Sequence, residues 1–202
     1  MPRIPDHPVD PLFVDRWSPR SFTGEPVPDA VLQSAFEAAR WAPSASNAQP
    51  WRFIVARPGD AEWADFVSLL LPRNRLWAER ASALILIVSA LDVERRGEVV
   101  ANVSHSFDAG AAWANFAHQA LLLGWHTHGI GGFDRDAARE LLGIPEAFAV
   151  ESMLALGKQA DLAGLHADFH AQESPNDRRP LVQTVFSGRF GAPAFSPQRN
   201  AA

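Results

Sequence analysis

The chain has 202 residues, of which 47% are hydrophobic and 20% are charged, and its formal net charge is −5. This length suits one domain with a substantial core, and the mild acidity argues against nucleic acid as the main partner. Because cysteine is absent, disulfides, thiolate nucleophiles and cysteine-ligated metal sites are excluded. The first residues lack the apolar stretch of a signal peptide, and the longest apolar run, Ala83 to Val88, is too short to cross a membrane, so we expect a cytoplasmic protein.

Apolar spacing, proline and glycine divide the chain into loosely alternating helices and strands, which indicates an α/β or α+β fold. Residues 92–104 are charged and irregular, and we expect a mobile loop there. The last forty residues can bury few apolar groups within their own chain, which predicts either an arm that packs on a partner or disorder. The predicted helices are 10–14, 28–42, 61–71, 106–123 and 134–142, and the predicted strands are 51–56, 83–88, 126–133 and 150–157.

The segment from Arg16 to Phe22 carries the first candidate site. Pro19 favours an extended conformation for the residue before it, and alternate side chains of an extended segment point the same way. Arg16, Ser18 and Arg20 then share one face, and two guanidiniums with a hydroxyl suit a phosphate and the polar edge of a ring. The alternative is an arginine-rich surface turn followed by an ordinary loop.

Two further segments suggest a flat ligand. Residues 42–51 are small, polar and bounded by prolines, so their backbone can approach a ring closely. Gly131 and Gly132 have no side chain to keep a ring nitrogen or carbonyl away from their amides. The chain contains no phosphate-binding P-loop, no GxGxxG fingerprint and no GxSxG serine motif. These features together predict a phosphorylated, planar cofactor rather than a catalytic side chain.

These motifs, with Leu142-Gly143-Ile144-Pro145, resemble the nitroreductase family of FMN-dependent oxidoreductases from about residue 12 to 190. The resemblance implies an α+β sandwich in which helices flank a mainly antiparallel central sheet. It also implies a single domain over residues 1–202, with a core at about 12–160. Residues 161–202 would form a C-terminal arm and tail exchanged in a homodimer, with two FMN sites at the subunit interface.

The resemblance assigns roles to individual residues. Arg16 would bind the FMN phosphate and Ser18 the phosphate or ribityl side. Arg20 would meet the N1/O2 edge of the ring, where its charge stabilises the reduced flavin. Many relatives have glutamate where Gly131 stands, so any role of that side chain is absent here. The remaining residues implied at the cofactor are Trp17, Asn74, Gly131, Gly132, one or both of Arg178 and Arg179, and, from the other subunit, Pro43, Ser44, Ala45, Ser46, Asn47 and Gln49.

The implied reaction is ping-pong. NAD(P)H would pass hydride to flavin N5 and leave, and a nitroaromatic, quinone or activated alkene would then occupy the same cavity. No separate nicotinamide motif and no catalytic acid are needed, because the flavin carries the redox step. Substrate choice would lie in the loop after Asp92 and in Trp77, Phe107 and Trp113, although these aromatic residues also suit the core.

Three other functions remain open from the sequence. Some relatives use reduced FMN for dehalogenation or for fragmenting the flavin, and a dimer of this kind could also bind or store FMN without catalysis. A metal-dependent enzyme is the third, since two histidines and a carboxylate can hold iron or zinc. The candidate ligands are His126, His128, His166, Asp168 and His170, which otherwise read as solvated or hydrogen-bonded side chains.

Overall fold

A four-stranded antiparallel sheet forms the centre of this computed structural model, which describes residues 3–195. Its strands follow the order β1 (Trp51–Ala56), β2 (Ala83–Ala90), β6 (Phe148–Gly157) and β5 (His126–Ile130), and β3 (Asp92–Arg95) pairs with β4 (Glu98–Ala101) in a separate hairpin. The α-helices are α1 (Pro11–Asp15), α2 (Asp29–Arg40), α3 (Trp63–Leu69), α4 (Pro72–Ala78), α5 (His105–Leu122) and α6 (Arg135–Leu141). The predicted α+β architecture with an antiparallel sheet is confirmed.

Strand β2 lies inside the sheet and is buried on both faces, which explains its continuous apolar run. Leu84 and Leu86 point into the core on one face, and Ile85 and Ile87 point into the core on the other. Because side chains alternate along a strand, each face of the sheet needs its own helical cover. The molecule is therefore a sandwich of three layers.

Helices α2 and α5 cover the face of the sheet that contains Ile85 and Ile87. Small residues of α5, among them Ala112 and Ala120, are fully buried there, so the helix approaches the sheet closely. Phe116 of α5 and Phe36 of α2 meet with ring centroids 4.9 Å apart. This close packing holds α5 firmly against the sheet and against α2.

The opposite face is covered by α3, α4 and α6 together with part of the C-terminal segment. The helix predicted over 61–71 corresponds to α3, and α4, which was not predicted from the sequence, begins at Pro72, a residue favoured at the first position of a helix. Leu165 and Phe169 are buried in this core, so residues 165–169 pack on their own chain. The predicted arm, 161–202, is described only to residue 195.

The mobile loop expected at 92–104 is wrong for most of its length, because β3 and β4 form a hairpin over 92–101. Arg96 and Gly97 form its turn with φ of 56° and 83°, the left-handed geometry that matches the twist of paired strands. Val99 is 75% exposed, so the hairpin buries little apolar surface within this chain. The many charged residues of this segment therefore did not predict the strand pair, which is separate from the main sheet.

Candidate functional site

The arginine segment forms one wall of a cavity of about 150 Å³, which we call the arginine cavity. Arg16, Ser18 and Arg20 all line it, as the extended geometry predicts. The residues that line the cavity are Arg3, Arg16, Trp17, Ser18, Arg20, His128, Gln172, Ser174, Asn176 and Arg178. Four of these side chains are guanidiniums, and within residues 3–195 no carboxylate lines the space. The cavity therefore suits an anion with several acceptor oxygens.

Arg16 carries a charge that its surroundings do not compensate. Burial lowers its pKa, and the nearby Arg178 and Arg3 lower it further. Its Nη1 atom lies 3.4 Å from Ser18 Oγ, so the hydroxyl shares its face of the cavity. An anionic ligand would relieve this repulsion.

Arg3 is a cavity residue that the sequence did not indicate. Its Nη1 donates to the backbone carbonyls of Val14 and Arg16 at 2.9 and 2.8 Å, and its Nε donates to Asn176 O at 2.8 Å. Arg3 therefore ties the start of the arginine segment to the C-terminal segment. Its position near the N-terminus, far from any recognisable motif, gave no signal in the sequence.

The C-terminal segment holds the backbone around Arg20. The amides of Arg20 and Ser21 donate to the Glu173 carboxylate at 2.8 to 3.1 Å. The Arg20 guanidinium lies 5.5 Å from the centroid of the buried Phe169 ring, within cation–π range. Burial lowers the pKa of Arg20, Glu173 raises it and Arg73 lowers it. Arg20 is thus positioned by its own backbone and by a ring from a distant part of the chain.

The two C-terminal arginines are separated by the structure. Arg178 lines the arginine cavity and donates to the carbonyls of Asn176 and Asp177, both at 3.1 Å. Arg179 is not among the residues that line it. Of the predicted pair, only Arg178 is brought to the arginine segment in this chain.

His128 and Trp17 form the less polar part of the lining. Trp17 is only 9% exposed, so it supports the cavity from within the core. The His128 ring lies over Trp77 with centroids 4.5 Å apart, and its Nδ1 is 3.0 Å from Pro19 O. Burial lowers the pKa of His128 to about 4, the carbonyls of Pro19 and Ser18 oppose that shift, and Arg20 and Arg16 add to it. The imidazole is therefore neutral at pH 7.

The glycine turn after β5 and Asn74 of α4 come together as a unit. Asn74 Nδ2 donates to Gly132 O at 2.9 Å, and the amide of Leu71 donates to the same oxygen at 3.1 Å. A Cβ built on Gly132 would lie 2.6 Å from Asn74 Nδ2, so a side chain at this position would displace the amide. A Cβ on Gly131 would meet nothing within 4 Å, so open space lies beside that residue.

The predicted ring-binding loop has an unusual backbone. Ala45–Asn47 forms a short 3₁₀ turn, and Ser46, Asn47 and Gln49 adopt φ of 54°, 56° and 47°. The Ser44 hydroxyl accepts from the Gln49 amide at 3.1 Å, and Gln49 Nε2 donates to Asn47 O at 3.1 Å. Left-handed conformations of non-glycine residues are strained and tend to occur at functional sites. Pro43 lies two residues before the first residue of this turn.

Within one chain this loop and the arginine segment do not meet. The Ala45 amide donates to Asp108 Oδ2 at 3.0 Å, in the first turn of α5. Arg16, in contrast, is close enough to His118 to lower its pKa, adding to the effect of burial. Asp108 and His118 are ten positions apart, which corresponds to about 15 Å along a helix. The two motifs therefore lie near different ends of α5.

The sequence model of the Nitroreductase family matches residues 14–158. This chain belongs to the nitroreductase family. It is 46% identical to an oxidoreductase containing FMN of known structure, with a TM-score of 0.91 over 94% of this chain and 96% of the other. It is 29% identical to an NADH dehydrogenase of Thermus thermophilus over 84% of this chain and 91% of that protein. A protein from Desulfovibrio desulfuricans, solved in complex with FMN, is 26% identical with a TM-score of 0.70, over 92% of this chain and 99% of that one.

The aromatic residues considered for substrate choice divide between core and surface in this nitroreductase-family chain. Trp77 is buried beneath His128. Trp113 packs so closely on Gly129 that a Cβ there would lie 2.9 Å from its ring. Phe107 is 84% exposed at the start of α5. Phe107 is therefore the most exposed of the three, and Trp113 is partly exposed.

The histidines considered as metal ligands are dispersed in the fold. No group of three or more histidine, aspartate or glutamate side chains suited to a metal occurs in residues 3–195. His166 Nδ1 lies 3.6 Å from Asp168 Oδ2, and His170 Nε2 lies 2.9 Å from Leu165 O. A metal-dependent enzyme has no support from this arrangement. Across the same residues, no helix has the length and apolar character needed to span a membrane.

A second polar cluster lies at the start of α5 and was not indicated by the sequence. We call it the Glu151 cluster, and it consists of Ser89, His105, Ser106 and Glu151. Glu151 Oε1 accepts from Ser89 Oγ at 2.5 Å and Ser106 Oγ at 2.7 Å, and it lies 3.1 Å from His105 Nδ1. Burial alone would raise the pKa of Glu151, but the two hydroxyls and His105 together hold it below its usual value. The β2–β6 register shifts beside Glu151, which is consistent with a bulge that redirects this side chain.

Proposed function

We propose that this protein is an FMN-dependent oxidoreductase that takes hydride from NAD(P)H and passes it to a small acceptor. The observation that carries the proposal is the arginine cavity, which is lined by four guanidiniums and, within residues 3–195, by no carboxylate. Membership of the nitroreductase family and the 46% identity to an oxidoreductase containing FMN support the same cofactor.

The residues present suit the phosphate end of FMN. A dianionic phosphate would neutralise the repulsion that lowers the pKa of Arg16 and would accept hydrogen bonds from Arg16, Ser18 and Arg178. Arg3 would reinforce this end by holding the Arg16 backbone and Asn176 together. Of the C-terminal pair, we assign the phosphate contact to Arg178, because it lines the cavity.

The ring end would be bound by the glycine turn and Arg20. Arg20 would provide positive charge at the pyrimidine edge, and the Glu173 contacts hold its backbone for that purpose. Asn74 would brace the glycine turn through Gly132, and the open space beside Gly131 would leave room for the ring. Trp17 would support the site from the core rather than contact the reacting atoms.

The loop 43–49 would reach the ring from a second copy of the chain. Its distance from the arginine segment along α5 argues for this arrangement, since one chain does not bring the two motifs together. Val103 and Phe107 near the same end of α5 are 92% and 84% exposed, so an apolar surface is available for the partner. Because residues 165–173 contact their own chain and Asn176 and Arg178 reach the arginine cavity of that chain, we expect the exchanged arm to begin after Arg178.

When bound, FMN supplies the redox chemistry by accepting hydride from NAD(P)H at N5 and delivering it to an acceptor in a ping-pong sequence. This chain would bind and orient the cofactor and provide the electrostatic environment, and no side chain is required as a catalytic acid. A nitroaromatic, a quinone or an activated alkene is the proposed acceptor class. We place the protein in the cytoplasm, with small molecules rather than nucleic acid as its partners.

The test begins with the purified protein. Its absorption spectrum and chromatography of the heat-released cofactor should show FMN, and NADH or NADPH should bleach the visible bands under anaerobic conditions. Nitroaromatics and quinones should then restore the bands and sustain turnover. A protein that binds no FMN when it is supplied in excess would overturn the proposal. Reduced protein that every acceptor reoxidises only slowly would favour a storage role.

A further inference from the structure

His128 presents a fixed hydrogen-bond acceptor to the arginine cavity. Its ring is held on one side by a tilted aromatic contact with Trp77, at 39° between the ring planes, and on one edge by the 3.0 Å contact between Nδ1 and Pro19 O. A carbonyl oxygen can only accept, so Nδ1 carries the proton in this contact. In the neutral ring, Nε2 is then the unprotonated nitrogen and an acceptor.

Nε2 is also free to meet a ligand. The one hydrogen bond of the ring within residues 3–195 joins Nδ1 to Pro19 O, the Ser18 carbonyl acts on the ring without a hydrogen bond to Nε2, and Nε2 is not among the buried polar atoms that lack a partner. His126 provides the contrast, because its Nδ1 is fully buried and unpaired. Since His128 lines the arginine cavity and Nδ1 is engaged with Pro19, Nε2 is the ring nitrogen available on the cavity side.

The chemistry of this acceptor differs from that of its neighbours. The guanidiniums of Arg16, Arg20 and Arg178 donate to an anion, whereas a lone pair on Nε2 repels a fully ionised phosphate oxygen. A ligand group that meets Nε2 must therefore carry a hydrogen that it can donate. On a phosphate ester such as FMN, the groups that meet this requirement are the hydroxyls of the chain joining the phosphate to the ring.

We propose that His128 Nε2 accepts a hydrogen bond from a hydroxyl of that chain, and thereby selects a polyhydroxylated phosphate ester over a simple alkyl phosphate. The inference rests on the proposed function, because it takes the cofactor to lie in the arginine cavity. The arginines would attract the phosphate, and His128 would form a hydrogen bond only when the adjoining chain carries a hydroxyl. Affinity for charge and selectivity for the chain are thus assigned to different residues.

The experiment compares two flavin phosphates by titration of flavin fluorescence at pH 7.5. One is FMN, and the other carries a five-carbon alkyl phosphate chain without hydroxyls. In the wild type, FMN should bind more tightly, and His128→Leu should weaken FMN by roughly threefold to tenfold while leaving the hydroxyl-free analogue within about twofold. His128→Gln, which keeps an acceptor oxygen, should recover part of the FMN affinity.

The outcomes separate this inference from the proposed function. Equal weakening of both ligands by His128→Leu, or no weakening of either, would overturn the role of Nε2 while leaving FMN binding intact. Failure of the wild type to bind FMN would overturn the proposed function as well. Thermal unfolding of each variant without ligand identifies misfolded protein, and His128→Gln then carries the comparison if His128→Leu does not fold. Nitrogen NMR of the imidazole should show Nε2 unprotonated before binding and shifted by FMN but not by the analogue.

Discussion

Two polar clusters of this protein balance their charges in opposite ways. In the Glu151 cluster, one carboxylate accepts hydrogen bonds from Ser89 and Ser106 and contacts His105, so its charge is satisfied within the chain. In the arginine cavity, Arg3, Arg16, Arg20 and Arg178 converge and no carboxylate of the described part of the chain lines the space, although Glu173 and Asp177 act on Arg20 and Arg3 from outside it. The first arrangement stabilises the fold. The second leaves positive charge that an anionic ligand can neutralise.

The comparison teaches how a binding site can be recognised from charge alone. The Glu151 cluster has its carboxylate hydrogen-bonded within the chain and offers an anion no uncompensated cation. In the arginine cavity the neighbouring cations lower the pKa of Arg16 by mutual repulsion, and a bound anion would reduce that repulsion. The two clusters should accordingly respond in opposite ways when a charge is removed.

The largest expected effect on stability concerns the Glu151 cluster. Glu151→Ala would remove the charged acceptor of Ser89 and Ser106 and leave His105 Nδ1, 2.8 Å from Ser89 Oγ, as the remaining partner, and we expect the free energy of unfolding to fall by about 2–3 kcal/mol. Urea unfolding at pH 7 measures it. Glu146→Ala is the control, since Glu146 is 91% exposed and should change stability by less than about 0.5 kcal/mol. Equal stability of the Glu151 variant and the wild type would remove the structural role of this cluster.

The second effect is a pH dependence of the free energy of unfolding, and it arises because His128 is neutral among charged residues. Its pKa is about 4 in the folded protein and about 6.5 in the unfolded chain, so between these values only the unfolded chain binds the proton. Stability should therefore fall as the pH decreases from 7 to 5, and His128 alone should account for about 2 kcal/mol of that fall.

Urea midpoints of the wild type and His128→Gln at both pH values check this. The variant should lose less stability than the wild type over the same interval, because glutamine does not titrate. Other histidines with lowered pKa, such as His126, are present in both proteins and cancel in the difference. Parallel losses in the two proteins would show that His128 is protonated normally in the folded state.

The third effect is smaller and tests how the C-terminal segment supports the arginine cavity. Glu173→Gln keeps the shape of the side chain but replaces an ionised acceptor of the Arg20 and Ser21 amides by a neutral one. A difference of about 1 kcal/mol is expected for such a change, which corresponds to about fivefold weaker FMN binding. Equilibrium dialysis measures the affinity. An affinity equal to that of the wild type would mean that Glu173 does not position Arg20 for the cofactor.

The smallest effect concerns an exposed ion pair that belongs to neither cluster. Lys158 Nζ lies 2.9 Å from Glu25 Oε1, with both side chains more than 40% exposed. Glu25→Gln should change the free energy of unfolding by less than about 0.5 kcal/mol, since solvent and salt screen the pair. A loss comparable with that of Glu151→Ala in the same urea experiment would contradict the contrast between internal and surface charge.

Much of the fold could be predicted because apolar runs mark its interior. The strands at 51–56 and 83–88 are nearly as predicted, and α2 follows the expected apolar spacing. The hairpin at 92–101 could not be predicted in this way, since it stands outside the main sheet and leaves Val99 exposed. A strand pair without a buried face has no alternation of apolar and polar residues to reveal it.

The candidate site could be predicted only where a local motif carries it. The extended geometry around Pro19 placed Arg16, Ser18 and Arg20 on one cavity, as expected. The contacts of Arg3 and His128 depend on distant parts of the chain, and no spacing in the sequence reveals them. The separation of the loop 43–49 from this cavity became apparent only when both were located along α5.

The most direct measurement compares the affinities of FMN and riboflavin, which differ by the phosphate, in three proteins. The wild type should prefer FMN by roughly tenfold to one hundredfold, as expected for charge-assisted contacts worth about 1.5–3 kcal/mol. Arg16→Met should lose most of that preference by weakening FMN alone, whereas Arg179→Met, with the same loss of charge outside the arginine cavity, should retain it. Equal binding of both flavins by the wild type, or an unchanged preference in Arg16→Met, would contradict a phosphate in the arginine cavity.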